Sequence, residues 1–126
     1  MIIGIGTDIC SVKRIQDLLD KTGEQFIKRL LCPKEIELVG GIDKVDAALL
    51  TRRFAAKEAF SKAMGTGLRH PVSLSYIGIA HDYLGKPYYD FHPELDILIK
   101  NEGITSYHLS MSDEMNLACA FVILEK

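Results

Sequence analysis

Between Val45 and Met64 the chain has the composition of one long helix, and it stops abruptly at Gly65-Thr66-Gly67, where a glycine suits the helix C-terminus. Alanines at 55, 56, 59 and 63 leave part of its surface nearly smooth, which predicts close packing on a sheet. Whatever else forms must fit against this helix. At about 100° per residue, Phe54, Glu58, Ser61 and Lys62 share one face, with Gly65 following on the same side. A carboxylate, a hydroxyl and an ammonium are thus stacked just before a glycine turn. Two readings stand side by side: an exposed Glu58–Lys62 pair worth about 0.3 kcal/mol, or the working groups of a site.

The sheet to receive that helix is legible at both ends of the chain. Ile2 to Thr7 reads as a short strand, with Gly4, Gly6 and Asp8 on one face and Ile3, Ile5 and Thr7 on the other. Two glycines beside an aspartate predict that something packs or binds close to that face. Asp8 either caps the following helix or serves as a first ligand for a hard cation such as magnesium. Ser11 is the expected N-cap of a helix bearing Val12, Ile15, Leu18 and Leu19, and residues 33–39 form a further short helix begun by Pro33. Strands follow at 73–80 and 87–91 around a turn at 82–85, then a helix opened by His92-Pro93. The chain closes with strands at 105–112 and 117–124, joined by a polar turn at Asp113-Glu114. Helices mostly first and antiparallel strands later give an α+β class, a single domain over 1–126 with an antiparallel sheet packed on the long helix. Leu117 to Leu124 is continuously apolar, so both of its faces should be covered, within the monomer or by another subunit.

Ser106, His108, Ser110 and Ser112 share a polar face on the late strand, which meets either solvent or a polar ligand. The 65–67 turn offers backbone N–H groups to phosphate, yet it follows a helix C-terminus whose dipole repels anions, so a nearby cation such as Lys62 is required there. Cys10, Cys32 and Cys119 form no CxxC pair, which suits a reducing compartment and places the chain in the cytoplasm. A net charge of −2 argues against nucleic acid, and no stretch approaches a membrane span.

Taken together these pieces resemble the holo-acyl-carrier-protein synthase family, the small branch of the 4′-phosphopantetheinyl transferases. The likeness is carried in order by Gly6-Thr7-Asp8-Ile9 with Arg14-Ile15, by Arg53-Phe54-Ala55-Ala56-Lys57-Glu58-Ala59 through Ser61-Lys62-Ala63 and Gly65-Thr66-Gly67, by Gly85-Lys86-Pro87, and by His108-Leu109-Ser110-Met111-Ser112-Asp113. The resemblance implies transfer of phosphopantetheine from coenzyme A to a serine of acyl carrier protein, for fatty acid biosynthesis. Asp8 and Glu58 would hold Mg2+, and Lys62 would act beside them. Arg53, His108, Ser110 and the Gly65-Thr66-Gly67 turn would meet the nucleotide or its phosphates. The general base stays open between Glu58 and a water on the cation, with Asp113 less suited. A homotrimer with sites between subunits is implied, as is an acidic carrier partner, for which Lys13, Arg14, Lys21 and Lys28 supply positive charge. A magnesium-dependent hydrolase of coenzyme A or another pyrophosphate would use the same carboxylates and is the alternative.

Overall fold

The computed structural model describes residues 1–126. Strand β1 (Ile2–Ser11) leads directly into α1 (Val12–Thr22), because the Ser11 hydroxyl accepts a hydrogen bond from the Arg14 N–H and caps the helix. Gly23, at φ 58°, breaks α1 from α2 (Glu24–Leu30), and α3 (Pro33–Leu38) follows with proline at its first turn. A 3-10 turn at Ile42–Lys44 precedes α4 (Ala47–Met64), which is N-capped by the Asp46 carboxylate and closed by Gly65 in the left-handed region. The hairpin β2 (Ile77–His81) and β3 (Pro87–Phe91), then α5 (Pro93–Asn101), lead to β4 (Ser106–Glu114) and β5 (Leu117–Glu125).

Two antiparallel sheets result, one of order β1-β5-β4 and the separate hairpin β2-β3. Register places Gly4, Gly6 and Asp8 opposite Leu124, Val122 and Ala120, all on the face that α4 covers. A Cβ at Gly6 would collide with the Ala59 carbonyl oxygen, and one at Gly4 with that of Ala63. The glycines therefore admit α4 at backbone contact, which the alanine surface of the helix matches. Phe60, Leu50, Val122, Leu124 and Ile15 are fully enclosed in the core that forms between helix and sheet.

Two expectations are corrected. Residues 73–76 form turns, and the strand begins only at Ile77. The last hairpin turns at Met115-Asn116, not at Asp113-Glu114, because β4 continues to Glu114, paired with Leu117. β5 is the centre strand of its sheet, and within this chain one of its faces is covered: Ala118, Ala120, Val122 and Leu124 are buried, while Leu117 and Phe121 are exposed. Across the strands this open face adds Ile5 and Ile9, exposed by 58% and 65%.

Candidate active site

β1 and α4 run side by side, so the end of the strand brings Asp8 to the middle turns of the helix. Lys62 Nζ donates to Asp8 Oδ1 and to the Thr7 carbonyl oxygen, both at 3.0 Å. The ammonium therefore joins the strand rather than its i,i+4 neighbour Glu58. Asp8 is largely enclosed, with 14% of its side chain exposed, whereas Lys62 keeps 52%. The Glu58 carboxyl is pushed above the usual carboxylate range, first by burial and then by repulsion from Asp8, against the opposing pull of Lys62 and Arg14. Two carboxylates thus share one neighbourhood, where Lys62 contacts Asp8 and, with Arg14, acts on Glu58 through space.

That donor set fits a hard divalent cation of the magnesium type. Such an ion takes one or two protein carboxylates and completes its octahedron with water and substrate phosphate. Adding positive charge would also relieve the repulsion that raises Glu58. No group of three His, Cys, Asp or Glu side chains is assembled to cage an ion, so water and phosphate oxygens would finish the shell.

Arg14 lies at the border of this site, its guanidinium 5.8 Å from the centre of the Phe54 ring. The outward side of α1 forms an open groove of ≈510 Å3 lined by Ser11, Lys13, Arg14, Asp17, Leu18 and Lys21. Lys13 pairs with Asp17 at 3.4 Å, and Lys28, on α2, reaches Glu24 at 3.9 Å. These are exposed pairs that hold their partners weakly. Beyond Lys62, Gly65 and Thr66 border a ≈410 Å3 cavity together with Arg69, His70, Pro71, Val72 and Leu98. Gly67, at φ 63°, completes the turn, and its carbonyl accepts from Thr66 Oγ1. Arg69 supplies there the cation that the turn itself lacks, with the His70 ring beside it. Nothing in their spacing marked them, since the segment from 65 to 76 is irregular and has no period.

Three residues expected at the site lie elsewhere in this chain. Arg53 is inside the molecule, 6% exposed, with Nη1 2.8 Å from Glu35 Oε2. Arg53 and Lys57 are four residues apart and share the inner side of α4, while Glu58 and Lys62 share the outer. The guanidinium is therefore engaged with Glu35 in this chain, away from Asp8. His108 and Ser110 pair with Ile123 and Phe121, on the open side of the sheet, opposite the side that carries Asp8. His108 Nε2 sits 2.7 Å from Glu125 Oε1. Within one chain neither residue can meet the carboxylates. Ser61, expected on the outer face, is 1% exposed and bonds back to the Glu58 carbonyl at 2.8 Å.

Sequence reasoning attached no role to Lys57 or Glu35. Lys57 Nζ is fully enclosed and donates to the Leu30 carbonyl (2.5 Å), Glu35 Oε1 (2.6 Å) and the Leu74 carbonyl (2.9 Å). Glu35 Oε1 also accepts from the Cys32 N–H at 3.1 Å. Burial lowers the Lys57 ammonium pKa, and the adjoining Glu35 carboxylate opposes that shift. No pattern on the short polar helix α3 distinguishes Glu35 from an exposed glutamate.

A compact α+β chain whose strand and helix carry paired carboxylates beside a lysine has the build of an enzyme acting on a polyanionic substrate. Residues 4–122 match the model of the 4′-phosphopantetheinyl transferase superfamily. The holo-[acyl-carrier-protein] synthase of Nitrosospira multiformis is 61% identical over 127 residues, covering 100% of both chains. The crystal structure of holo-[acyl-carrier-protein] synthase from Neisseria meningitidis superposes with a TM-score of 0.93 at 48% identity, covering 100% of each chain. The Helicobacter pylori synthase, crystallised in complex with coenzyme A, gives a TM-score of 0.83 at 30% identity over 96% of this chain and 99% of that one. The chain belongs to the 4′-phosphopantetheinyl transferase superfamily, within its holo-[acyl-carrier-protein] synthase branch, and is a phosphopantetheinyl transferase.

Proposed function

We propose that the chain transfers the 4′-phosphopantetheine group of coenzyme A to a serine of apo-acyl carrier protein, with Mg2+ held by Asp8 and Glu58. The observation that carries this reading is the meeting of Asp8, Glu58 and Lys62 at one place, although Lys62 and Asp8 stand 54 positions apart in the chain. A divalent cation at such a site supplies charge neutralisation of the diphosphate and of the phosphate that departs. The serine oxygen forms a bond to the phosphorus that bears pantetheine, and the bond from that phosphorus to the bridging oxygen breaks. Adenosine 3′,5′-bisphosphate leaves with the electron pair. Lys62, half exposed and bound only to Asp8 and a carbonyl, is free to turn its ammonium toward that developing charge. The hydroxyl proton is assigned to the Glu58 carboxylate, beside which the serine would stand. The cavity beside Gly65 and Thr66, with Arg69 and His70, would receive nucleotide phosphate.

An acidic carrier surface would dock on the α1 groove, where Lys13, Arg14 and Lys21 line the wall, with Lys28 nearby on α2. The open sheet face bearing Ile5, Ile9 and Phe121 is the surface on which copies of the chain would assemble, as a homotrimer. His108 and Ser110 stand on that same face, and would reach a metal site only across a subunit boundary. No helix is long and apolar enough to cross a membrane, and the three cysteines are free, which agrees with work in the cytoplasm.

The reading is tested by mass spectrometry of apo-carrier protein incubated with coenzyme A and magnesium. A gain of one phosphopantetheine group, abolished by EDTA, is expected. Coenzyme A cleavage with an unmodified carrier would instead make the chain a hydrolase. Phe121→Asp is expected to convert the assembly to monomers in analytical ultracentrifugation, and an unchanged sedimentation coefficient would remove the open face from the interface.

A further inference from the structure

The outer side of α4 leaves Glu58 in an unusual position. Burial, the Asp8 carboxylate, Lys62 and Arg14 act on its side chain through space, and no hydrogen bond to it contributes. Its direction therefore depends on the rotation of the helix that carries it. The contact of α4 with β1 is made through Gly4 and Gly6 against the Ala59 and Ala63 backbone, with one half-exposed tie from Lys62 to Asp8 and Thr7. Such a contact sets the distance between helix and strand, while its small side chains give few interlocking steps against rotation.

The other side of the helix supplies what this contact lacks. Lys57, the residue before Glu58, spends all three of its donors on fixed acceptors from three segments: the end of α2, the Glu35 carboxylate of α3, and the Leu74 carbonyl before β2. Glu35 cannot drift, because its two oxygens also accept from the Cys32 N–H and from Arg53. Arg53, one turn earlier on α4, gives the helix a second point of attachment to the same carboxylate. A buried ionic cluster can be exchanged as a whole for apolar residues of like size with little loss of stability, whereas deleting one member strands the others. The ion pairs by themselves are thus weak evidence of a stabilising role, while the Leu30 and Leu74 carbonyls and the Cys32 N–H also draw on the cluster. What the charges add is direction, since charge-assisted hydrogen bonds fix angle as well as distance.

The geometry points to Lys57, held by Glu35 and Arg53, as a positioning residue that orients the turn of α4 presenting Glu58 to the cation and to Asp8. This inference rests on the metal site described under the proposed function. It adds to that site a set of supporting residues on the far side of the helix, comparable in role to the outer partners that orient metal ligands elsewhere.

The decisive variant is the triple replacement Glu35→Leu, Arg53→Met and Lys57→Met, compared with the full-length wild type. Mn2+ serves as the probe, titrated by electron paramagnetic resonance with coenzyme A present and carrier protein absent. The triple variant is expected to melt cooperatively, to bind Mn2+ about 10- to 100-fold more weakly, and to lose kcat by a larger factor than it gains in KM for coenzyme A. A folded triple variant with wild-type Mn2+ affinity would overturn the inference. Should the triple variant not fold, Glu35→Gln takes its place, since its amide nitrogen cannot accept from Arg53 and the charge that anchors Lys57 is gone. Wild-type Mn2+ affinity in that variant overturns the inference equally, and so does failure of both to fold, which would assign the cluster to folding alone. Glu58→Gln is run alongside: if it binds Mn2+ as the wild type does, the metal site itself falls, separately from its support.

Discussion

Helix α4 carries charge on two sides, and the two sides treat it in opposite ways. Inside, Lys57 and Arg53 close on Glu35 with every ammonium donor taken and almost no surface exposed. Outside, Asp8 and Glu58 crowd one another, Lys62 answers only Asp8 by direct contact, and half of the Lys62 side chain faces solvent. The inner cluster resembles the outer in composition, with lysine and carboxylate in both. They differ in saturation. A polar cluster that has satisfied itself has nothing left for a ligand, and one with an unanswered carboxylate does.

The largest effect expected from this contrast falls on the outer side. Asp8→Asn or Glu58→Gln should lower carrier modification by on the order of 10³-fold, with the melting temperature within about 2 °C of wild type. A comparable loss of fold in either variant would mean that the outer cluster is structural too. Inside, stability falls as well: Lys57→Met alone should cost about 3 kcal/mol in urea denaturation, because Glu35 and Arg53 are left in the core without their partner. A neutral result there would break the contrast from the other side.

Charge at the rim of the outer site should act more gently. Arg14→Glu is expected to raise the KM for carrier protein about tenfold at low salt, with the difference shrinking as salt is added and stability unchanged. A salt-independent change would point to the Phe54 contact rather than to carrier docking. The smallest effect concerns pH. Because the folded protein raises the Glu58 carboxyl above its usual range, ionising it costs stability once the pH exceeds the ordinary carboxylate value. Glu58→Gln should therefore match wild type in acid and gain slightly on it as pH rises through the shifted value, read from denaturation midpoints at successive pH. A gain confined to acid would reverse the sign and remove the repulsion from Asp8.

Much of the scaffold could be read from local pattern. The alternation of Gly4, Gly6 and Asp8 against Ile3 and Ile5 placed glycine and aspartate on one strand face, and α4 is what packs there. Ser11 was recognisable as a cap, and it serves as one. The outer face of α4 was legible for Glu58 and Lys62, yet the same 100° rule, applied to Arg53, separates it from them and unites it with Lys57. Glu35 had no signal at all, since a glutamate in a short helix near proline is equally at home on a surface. The open face of β5 was legible as one of two alternatives. An unbroken apolar run tells that both faces avoid water, and does not tell whether the second cover comes from the same chain.

Local sterics and periodicity thus decided, without any structure, that a smooth alanine-bearing helix must meet a glycine-bearing strand, because side-chain volume and helical or strand period are properties of neighbouring residues. The order of its motifs also placed the chain in its family. Which charges would be sealed inside and which left to act was settled only by the tertiary fold, through the register of β1 on β5 and the rotation of α4. Those are long-range quantities: Lys62 finds Asp8 across 54 positions and Lys57 finds Glu35 across 22, and no local rule reaches so far.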